Sequence, residues 1–396
     1  MMVSYKKPHL IFAKLIDQPT WGGDYILKLK NLQTHPSFQD KKIGQSYELF
    51  GDSKLALEIT DSSDARFIPE VGYPDKPDVH GELFPFHKDI DYLTLSELVG
   101  INPSQMLGEK VQAKWGKMPL LIKLNHAAGN SFQLHIKPSQ THLRWQPKPE
   151  SWYYLEDGLV TYGIKKDADI DEYKKTCVEI DSFMKTISLQ VQQGTMTLEE
   201  ANRKAKEFIR EKNPWQYVNK HVVHQYELVD LSSGGIHHSW EEDKENFPQG
   251  NILLEVQQDV MDPFCTIRSF DQGKIKSDGT IRPLNIDDYF RIIDTDPAVN
   301  DFQTALKKRQ GNRLLTTPYY CLDIIEVKDK VEETIKDSFA HLYVRNGEVE
   351  VTTDEGNVRV GKGHSCFVPY GAEKYTIKAL QPNSVVLKTY IVDGSK

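Results

Sequence analysis

The stretch from Ala340 to Ala379, AHLYVRNGEVEVTTDEGNVRVGKGHSCFVPYGAEKYTIKA, constrains the fold more than any other part of this chain. It is a run of short segments in which apolar and polar residues alternate. Asn346-Gly347, Glu355-Gly356 and the pair Gly361 and Gly363 interrupt it as turns. Side chains two apart on a strand share a face, so each segment has one side to bury and one to leave wet. Short strands with turn signals every ~8–12 residues imply a sandwich or jelly-roll barrel.

The remainder of the chain alternates between that texture and helix. Residues 1–90 are rich in Gly, Pro and Asp, with short apolar runs such as HLIFAK and LALEIT, which read as strands joined by turns. From Thr94 the segment TLSELVGINPSQMLGEKVQAKW offers Thr94 with Glu97 as a capping box, followed by helical spacing. MPLLIKLNHAAGNSFQLHIK returns to strands around a Gly129-Asn130 turn, and ESWYYLEDGLVTYGI adds two more across Asp157-Gly158. The segment from 166 to about 216 is charged and helical. One helix runs from Asp171 to Gln193 and is stopped by Gly194. A second is capped by Thr197 with Glu200 and carries Leu198, Ala201, Ala205, Phe208 and Ile209 on one face. Strands resume after Trp215.

Both β regions share a glycine–strand–P-x-G texture of the kind found in cupins. The expected fold is therefore mainly β: two cupin (jelly-roll) β-barrel units with a helical insertion. The expected partition is an N-terminal catalytic unit over 1–165 plus 221–305, an insertion over 166–220, and a C-terminal unit over 306–396.

Composition narrows the class. Hydrophobic content of 39% and charged content of 27% are ordinary for a soluble globular protein, and 49 basic against 57 acidic residues leave a net charge of −8. An acidic balance without long charge runs argues against a nucleic-acid surface. No stretch approaches the ~18 apolar residues of a membrane span, and MMVSYKKPHL carries no apolar signal segment, so a cytoplasmic location is expected. Cys177, Cys265, Cys321 and Cys366 lie far apart and read as buried, reduced thiols.

The chemistry starts at SFQLHIKPS, Ser131 to Ser139. Gln133 and His135 alternate with Phe132, Leu134 and Ile136, so the polar pair shares one face of a strand. A mononuclear metal site needs three or four N, O or S donors converging from different strands. The candidates are Gln133, His135, Glu150 and one histidine of GGIHHSW. Each alone has a structural alternative: a hydrogen-bonded Gln-His pair, a surface glutamate, a histidine loop. Their joint placement at strand ends in one unit favours a site.

At these residues the chain resembles the type I mannose-6-phosphate isomerases. The motifs, in that family's order, are WGGDYILK, KIGQSYEL, NPSQMLGEK, PLLIKLNHAAGNSFQLHI, KPESWYYL, GGIHHSW, ILLEVQQDVMDPFCTIRSFD and, near the end, GKGHSCFVPYGAEKYTIK. The resemblance implies an enzyme with one Zn²⁺ per chain that interconverts mannose 6-phosphate and fructose 6-phosphate through an enediolate. It assigns the metal to Gln133, His135, Glu150 and His237, rejecting His238. It places Lys123, Lys148, Asp262, Arg268 and Glu255 in the catalytic machinery, and Trp21 and Lys137 against the substrate. The partner it implies is a phosphorylated hexose, handled by a monomer or weak homodimer.

The chemistry fits those residue types. Moving a proton between neighbouring carbons develops enediolate charge, which a metal, Lys or Arg in a dry pocket stabilises, and the step also needs a base.

Two departures bear on specificity. His135-Ile136-Lys137 replaces the family's H-P-D, and the segment between Asp262 and Arg268 is two residues longer than usual, so the arginine's reach is in question. The helical insertion enters between ligand-bearing strands and reads either as a lid over the pocket or as a decoration on the outer wall. The C-terminal unit holds only the separated His341 and His364 and reads as structural. The rival functions are a phosphosugar isomerase of different specificity and a non-catalytic sugar-binding cupin; retention of all four ligand-type residues argues against the latter.

Overall fold

Local signals build the helices as the sequence implies. Thr94 Oγ1 accepts the Glu97 N–H at 3.2 Å and the Glu97 carboxylate accepts the Thr94 N–H at 2.7 Å, completing the capping box. Asn102-Pro103 and Gly108 then divide the helical stretch into Leu95–Ile101, Pro103–Leu107 and Glu109–Trp115. The insertion forms Ile170–Gln192, capped by Asp169, and Leu198–Lys212, capped by Thr197 on the Glu200 N–H at 3.1 Å. Among the described residues, no helix is long and apolar enough to cross a membrane.

The computed structural model describes residues 4–18, 21–72, 90–127, 131–239, 243 and 245–392; the Gly129-Asn130 turn lies outside the described residues. The strands form four sheets, each in linear order with two edges, and among the described residues none closes into a barrel. The fold is thus mainly β, as expected, but built of open sheets. The four cysteines are buried and unpaired.

The sequence partition follows changes of texture along the chain, whereas compactness follows strand pairing. One compact unit gathers residues 1–126, 254–259 and 307–396, and the other gathers 127–253 and 260–306. In the first, His9–Phe12 pairs antiparallel with Ser365–Val368 on one side and with Lys54–Ala56 on the other. It thereby joins an eight-stranded sheet that also holds Cys321–Val327, Ala340–Asn346 and Ser384–Tyr390. Lys330–Thr334, Lys374–Ala379, Glu348–Thr353 and Gly356–Gly361 form a four-stranded sheet. Leu10, Ile325, Leu342 and Val386 from the larger sheet share one apolar core with Val349, Val351, Val358 and Ile377 from the smaller.

In the second unit, Phe132–His135 lies between Gly235–Ser239 and Ile267–Phe270, with Gly158–Ile164 and Val218–Val223 completing a five-stranded antiparallel sheet. One face of this sheet is covered by the inserted helices. Tyr173, Cys177, Ile180 and Ile187 of the first helix and Ala201, Ala205 and Ile209 of the second pack with Phe132, Leu134, Ile136, Ile236 and Ile267. These are the strand positions that alternate with Gln133 and His135, so the insertion covers the back of the strand bearing the polar pair. The outer-wall reading holds, and the lid reading does not.

Candidate metal centre

Period two decides which side chains meet. Gln133 lies directly across from His237 on one neighbouring strand and from Arg268 on the other, so all three project from the same face of the sheet. Glu150 starts the strand Glu150–Tyr154, with Lys148 two residues before it and Trp152 two residues after. Trp152 packs edge-on against the His237 ring at 5.4 Å, which fixes that strand's polar edge toward the histidines.

His237 Nε2 is 2.7 Å from Glu150 Oε1 and His135 Nε2 is 3.5 Å from the same oxygen. All three residues are buried, at most 2% exposed. Backbone carbonyls set the ring states. His135 Nδ1–H donates to the Cys265 carbonyl at 2.6 Å, and His237 Nδ1–H donates to the Gly235 carbonyl at 3.0 Å. A carbonyl only accepts, so Nδ1 carries a proton in both rings, and in the neutral His135 ring the lone pair is left on Nε2. Burial pushes the His135 imidazole down to about 4, against the pull of Glu150, so it is neutral at physiological pH. Burial alone would raise the Glu150 carboxyl, but Lys148 and His237 outweigh it and hold the group well below the ordinary carboxylate range. Lys148 Nζ lies 2.6 Å from Glu150 Oε2.

The neutral His135 ring thus turns its Nε2 lone pair on a carboxylate oxygen that His237 Nε2 also approaches. His135 Nε2 and Glu150 Oε1 make no hydrogen bond, although buried acceptors normally find a donor. A divalent cation satisfies this arrangement, and the ligand atoms of His135, Glu150 and His237 all lie within 4.8 Å of one another. The donor set of two neutral imidazoles and a carboxylate suits zinc. Gln133 Nε2 sits 3.1 Å from His237 Nε2. A half-turn of its amide would aim Oε1 at the same point and its NH₂ toward Ser131 Oγ, now 3.5 Å from Oε1.

The two glycines before Ile236 permit this approach. Gly234 has φ +76°, and a Cβ there would lie 2.6 Å from the His135 carbonyl oxygen. Only a residue without a side chain lets the His237 strand begin so close to the His135 strand.

Arg268 is buried beside this face. Its Nε donates to Ser131 Oγ at 2.9 Å and its Nη2 to both Asp262 oxygens at 2.8 and 2.7 Å. Desolvation would raise the Asp262 carboxyl, but the guanidinium holds it below the usual range. The two extra residues are taken up by one helical turn, Asp262–Cys265, so the longer segment leaves Arg268 in register with Gln133.

The other expected residues make contacts of their own. Lys123 and Glu255 belong to the first unit, where Lys123 Nζ is 3.4 Å from Glu255 Oε1 and Asn125 Nδ2 donates to Glu255 Oε2 at 2.6 Å. Trp21, half-buried in that unit, packs where a Cβ on Gly44 would stand. Lys137 is paired with Asp294 and partly exposed. His238 points to the opposite face, edge-on to Phe132 at 4.4 Å, with Nε2 2.6 Å from the Gln272 amide. Ser131 escaped notice in the sequence, although its place two residues before Gln133 is the signal that marks it. The orienting carbonyls of Cys265 and Gly235 escaped too, and no side-chain pattern encodes them.

Residues 312–383 match the family model described as the mannose-6-phosphate isomerase cupin domain. No curated protein matches the sequence. Among solved structures, the mannose 6-phosphate isomerase of Bacillus subtilis is similar at TM-score 0.62 and 14% identity, over 97% of this chain and 100% of that one. A zinc-bound mannose 6-phosphate isomerase is similar at TM-score 0.64 and 13% identity, over 97% and 99%. A phosphomannose isomerase variant from Salmonella typhimurium gives TM-score 0.64 at 12% identity, also over 97% and 99%. The resemblance carried by the motifs therefore stands: this chain has the fold of the mannose-6-phosphate isomerases and, over residues 312–383, matches the model of that family's cupin domain.

Proposed function

We propose that this chain is a zinc-dependent aldose–ketose isomerase that interconverts mannose 6-phosphate and fructose 6-phosphate. One observation carries the reading: His135 Nε2 and His237 Nε2 converge on Glu150 Oε1 in a buried cluster, and His135 Nε2 and Glu150 Oε1 are left there without a hydrogen-bond partner. Zinc-bound and mutant isomerases among the structural neighbours support the same choice of metal and reaction. The ligands are His135, Glu150, His237 and, after its amide turns, Gln133, holding one ion per chain. A divalent ion there supplies a Lewis acid for sugar oxygens.

The chain's own groups do the rest. Lys148 and Arg268 place two fixed positive charges at the polar face of a protein whose net charge is −8. They attract a phosphorylated sugar and stabilise the oxygen charge that develops when the proton leaves carbon. Asp262 and Ser131 hold the guanidinium by three hydrogen bonds, so its aim is set before substrate arrives. The Trp152 edge and the apolar residues beneath it, Tyr154, Val160 and Leu253, keep water from the inner side of the site. Catalytic roles for Lys123 and Glu255, and substrate contacts for Trp21 and Lys137, follow from the family resemblance alone, as do the two-cupin organisation and a cytoplasmic setting.

Elemental analysis of purified protein and a coupled assay over a panel of phosphosugars, with and without chelator, test the proposal. One zinc per chain and chelator-sensitive turnover of mannose 6-phosphate are expected. Failure to take up any divalent ion would overturn the ligand assignment, and turnover of another phosphosugar in its place would overturn the substrate.

A further inference from the structure

The geometry points to a second ligand site, for a neutral polyhydroxylated molecule, at one end of the sandwich formed by the C-terminal strands. Inward positions along those strands are apolar for most of their length: Val327 and Ile325 on one, Val344 and Leu342 on the next, Val386 on the third. Continuing each by two residues keeps the same face and reaches Asp323, Ala340 and Lys388. Asp323 and Lys388 are direct cross-strand partners. The facing sheet does the same, with Val331 in the core and Glu333 two residues on. Charges thus replace the apolar core at one end only. Inward charges in a sandwich cost desolvation free energy that apolar residues would not. Here they line an open cavity of about 320 Å³, within the range of small-molecule sites.

The pairing of the charges selects the ligand. Lys388 Nζ is 2.5 Å from the Glu333 carboxylate and 4.7 Å from the centre of the Tyr390 ring. Arg313 is bonded to Asp323, and Tyr390 donates its hydroxyl proton to the same carboxylate at 3.0 Å. The rim adds Lys336 and Asp337, the latter paired with Lys110 at 3.0 Å. The two inward cations, Lys388 and Arg313, are each matched by a carboxylate, so a charged ligand among them gains from one partner what it loses to the other. A hydroxyl both donates and accepts, and can use a carboxylate and an ammonium together. The Tyr390 ring offers an aromatic face for the C–H side of such a molecule. The chemistry is that of a sugar or sugar alcohol without phosphate. It is independent of the metal centre, whose ligands are all in the other compact unit.

Titration calorimetry of the full chain with D-mannitol, which has neither carbonyl nor phosphate, tests this directly. Glycine and inorganic phosphate serve as competitors. Mannitol should bind equally to metal-loaded and chelator-treated protein, without competition from either control. Asp323→Asn and, separately, Glu333→Gln should each weaken binding about tenfold, as expected for one lost hydrogen bond to a charged group. The Glu333 position is partly exposed, so that variant remains informative if the Asp323 variant fails to fold. Absence of mannitol binding, loss of binding on chelation, displacement by phosphate or glycine, or unchanged affinity in a folded variant would each overturn the proposal.

Discussion

Acidification from about pH 7 to about pH 5 should cost the first compact unit about 2 kcal/mol through His341 alone. This histidine is fully buried on the strand Ala340–Asn346, and burial pushes its imidazole from 6.5 down to about 3. The unfolded chain binds a proton near the ordinary value, and the folded one does not until far lower pH. The stabilisation is therefore complete above about 6.5, falls as pH drops below it, and levels off near 3. At about pH 5 the unfolded state is favoured by RT ln(1 + 10^1.5), which is about 2 kcal/mol. Denaturant unfolding at both pH values, for the parent and for His341→Gln, isolates the effect. The variant's own destabilisation cancels, because only the difference between the two pH values is compared. The variant should lose about 2 kcal/mol less than the parent on acidification. An identical pH dependence would refute the reasoning, as would a His341 ring resonance that titrates near 6.5 in the folded protein.

Gly234→Ala should force a Cβ into the His135 carbonyl at a positive φ, lowering both thermal stability and zinc occupancy; unfolding and elemental analysis with parental values would count against the close approach. Arg268→Met should cut turnover by about two to three orders of magnitude, because the guanidinium is held in place by Asp262 and Ser131 and faces the ligand strand; an unchanged turnover number would remove it from the chemistry. Replacing residues 171–212 with a Gly-Ser linker should prevent folding of the second unit rather than alter KM, since it uncovers Phe132, Leu134 and Ile236, each worth about 1.5–3 kcal/mol of burial. A cooperatively folded, active truncation would contradict that packing.

What was legible in the sequence was local. Thr94 with Glu97, and Thr197 with Glu200, set helix starts within three residues, so a single stretch of chain contains the whole signal. The alternation of Gln133 and His135 with Phe132 and Leu134 is likewise local, and it divides the strand correctly into a polar side and a side packed under helices. The choice of His237 over His238 rests on the resemblance of the GGIH stretch, and the strand register sets His237 across from Gln133. Partners distant in sequence were not legible. Nothing near His9 announces Phe367, and nothing in the helical insertion tells which face of the sheet it covers. The ring orientations of His135 and His237 were hidden for another reason. They are set by main-chain carbonyls, and every residue type has one.

The pairing of His9–Phe12 with Ser365–Val368 also has a consequence for how the chain is made. The first strand leaves the ribosome roughly 350 residues before the strand that flanks it, an interval of roughly 20 to 70 s at usual elongation rates. Throughout synthesis Leu10, Ile11 and Phe12, all buried in the finished protein, stand on an incomplete sheet with one edge open. Chains arrested before residue 365 should therefore be chaperone substrates and prone to aggregate. Emergence of Ser365–Val368 then completes a pairing begun with His9–Phe12, so quality control of this sheet falls after residue 365 has been made rather than along the way.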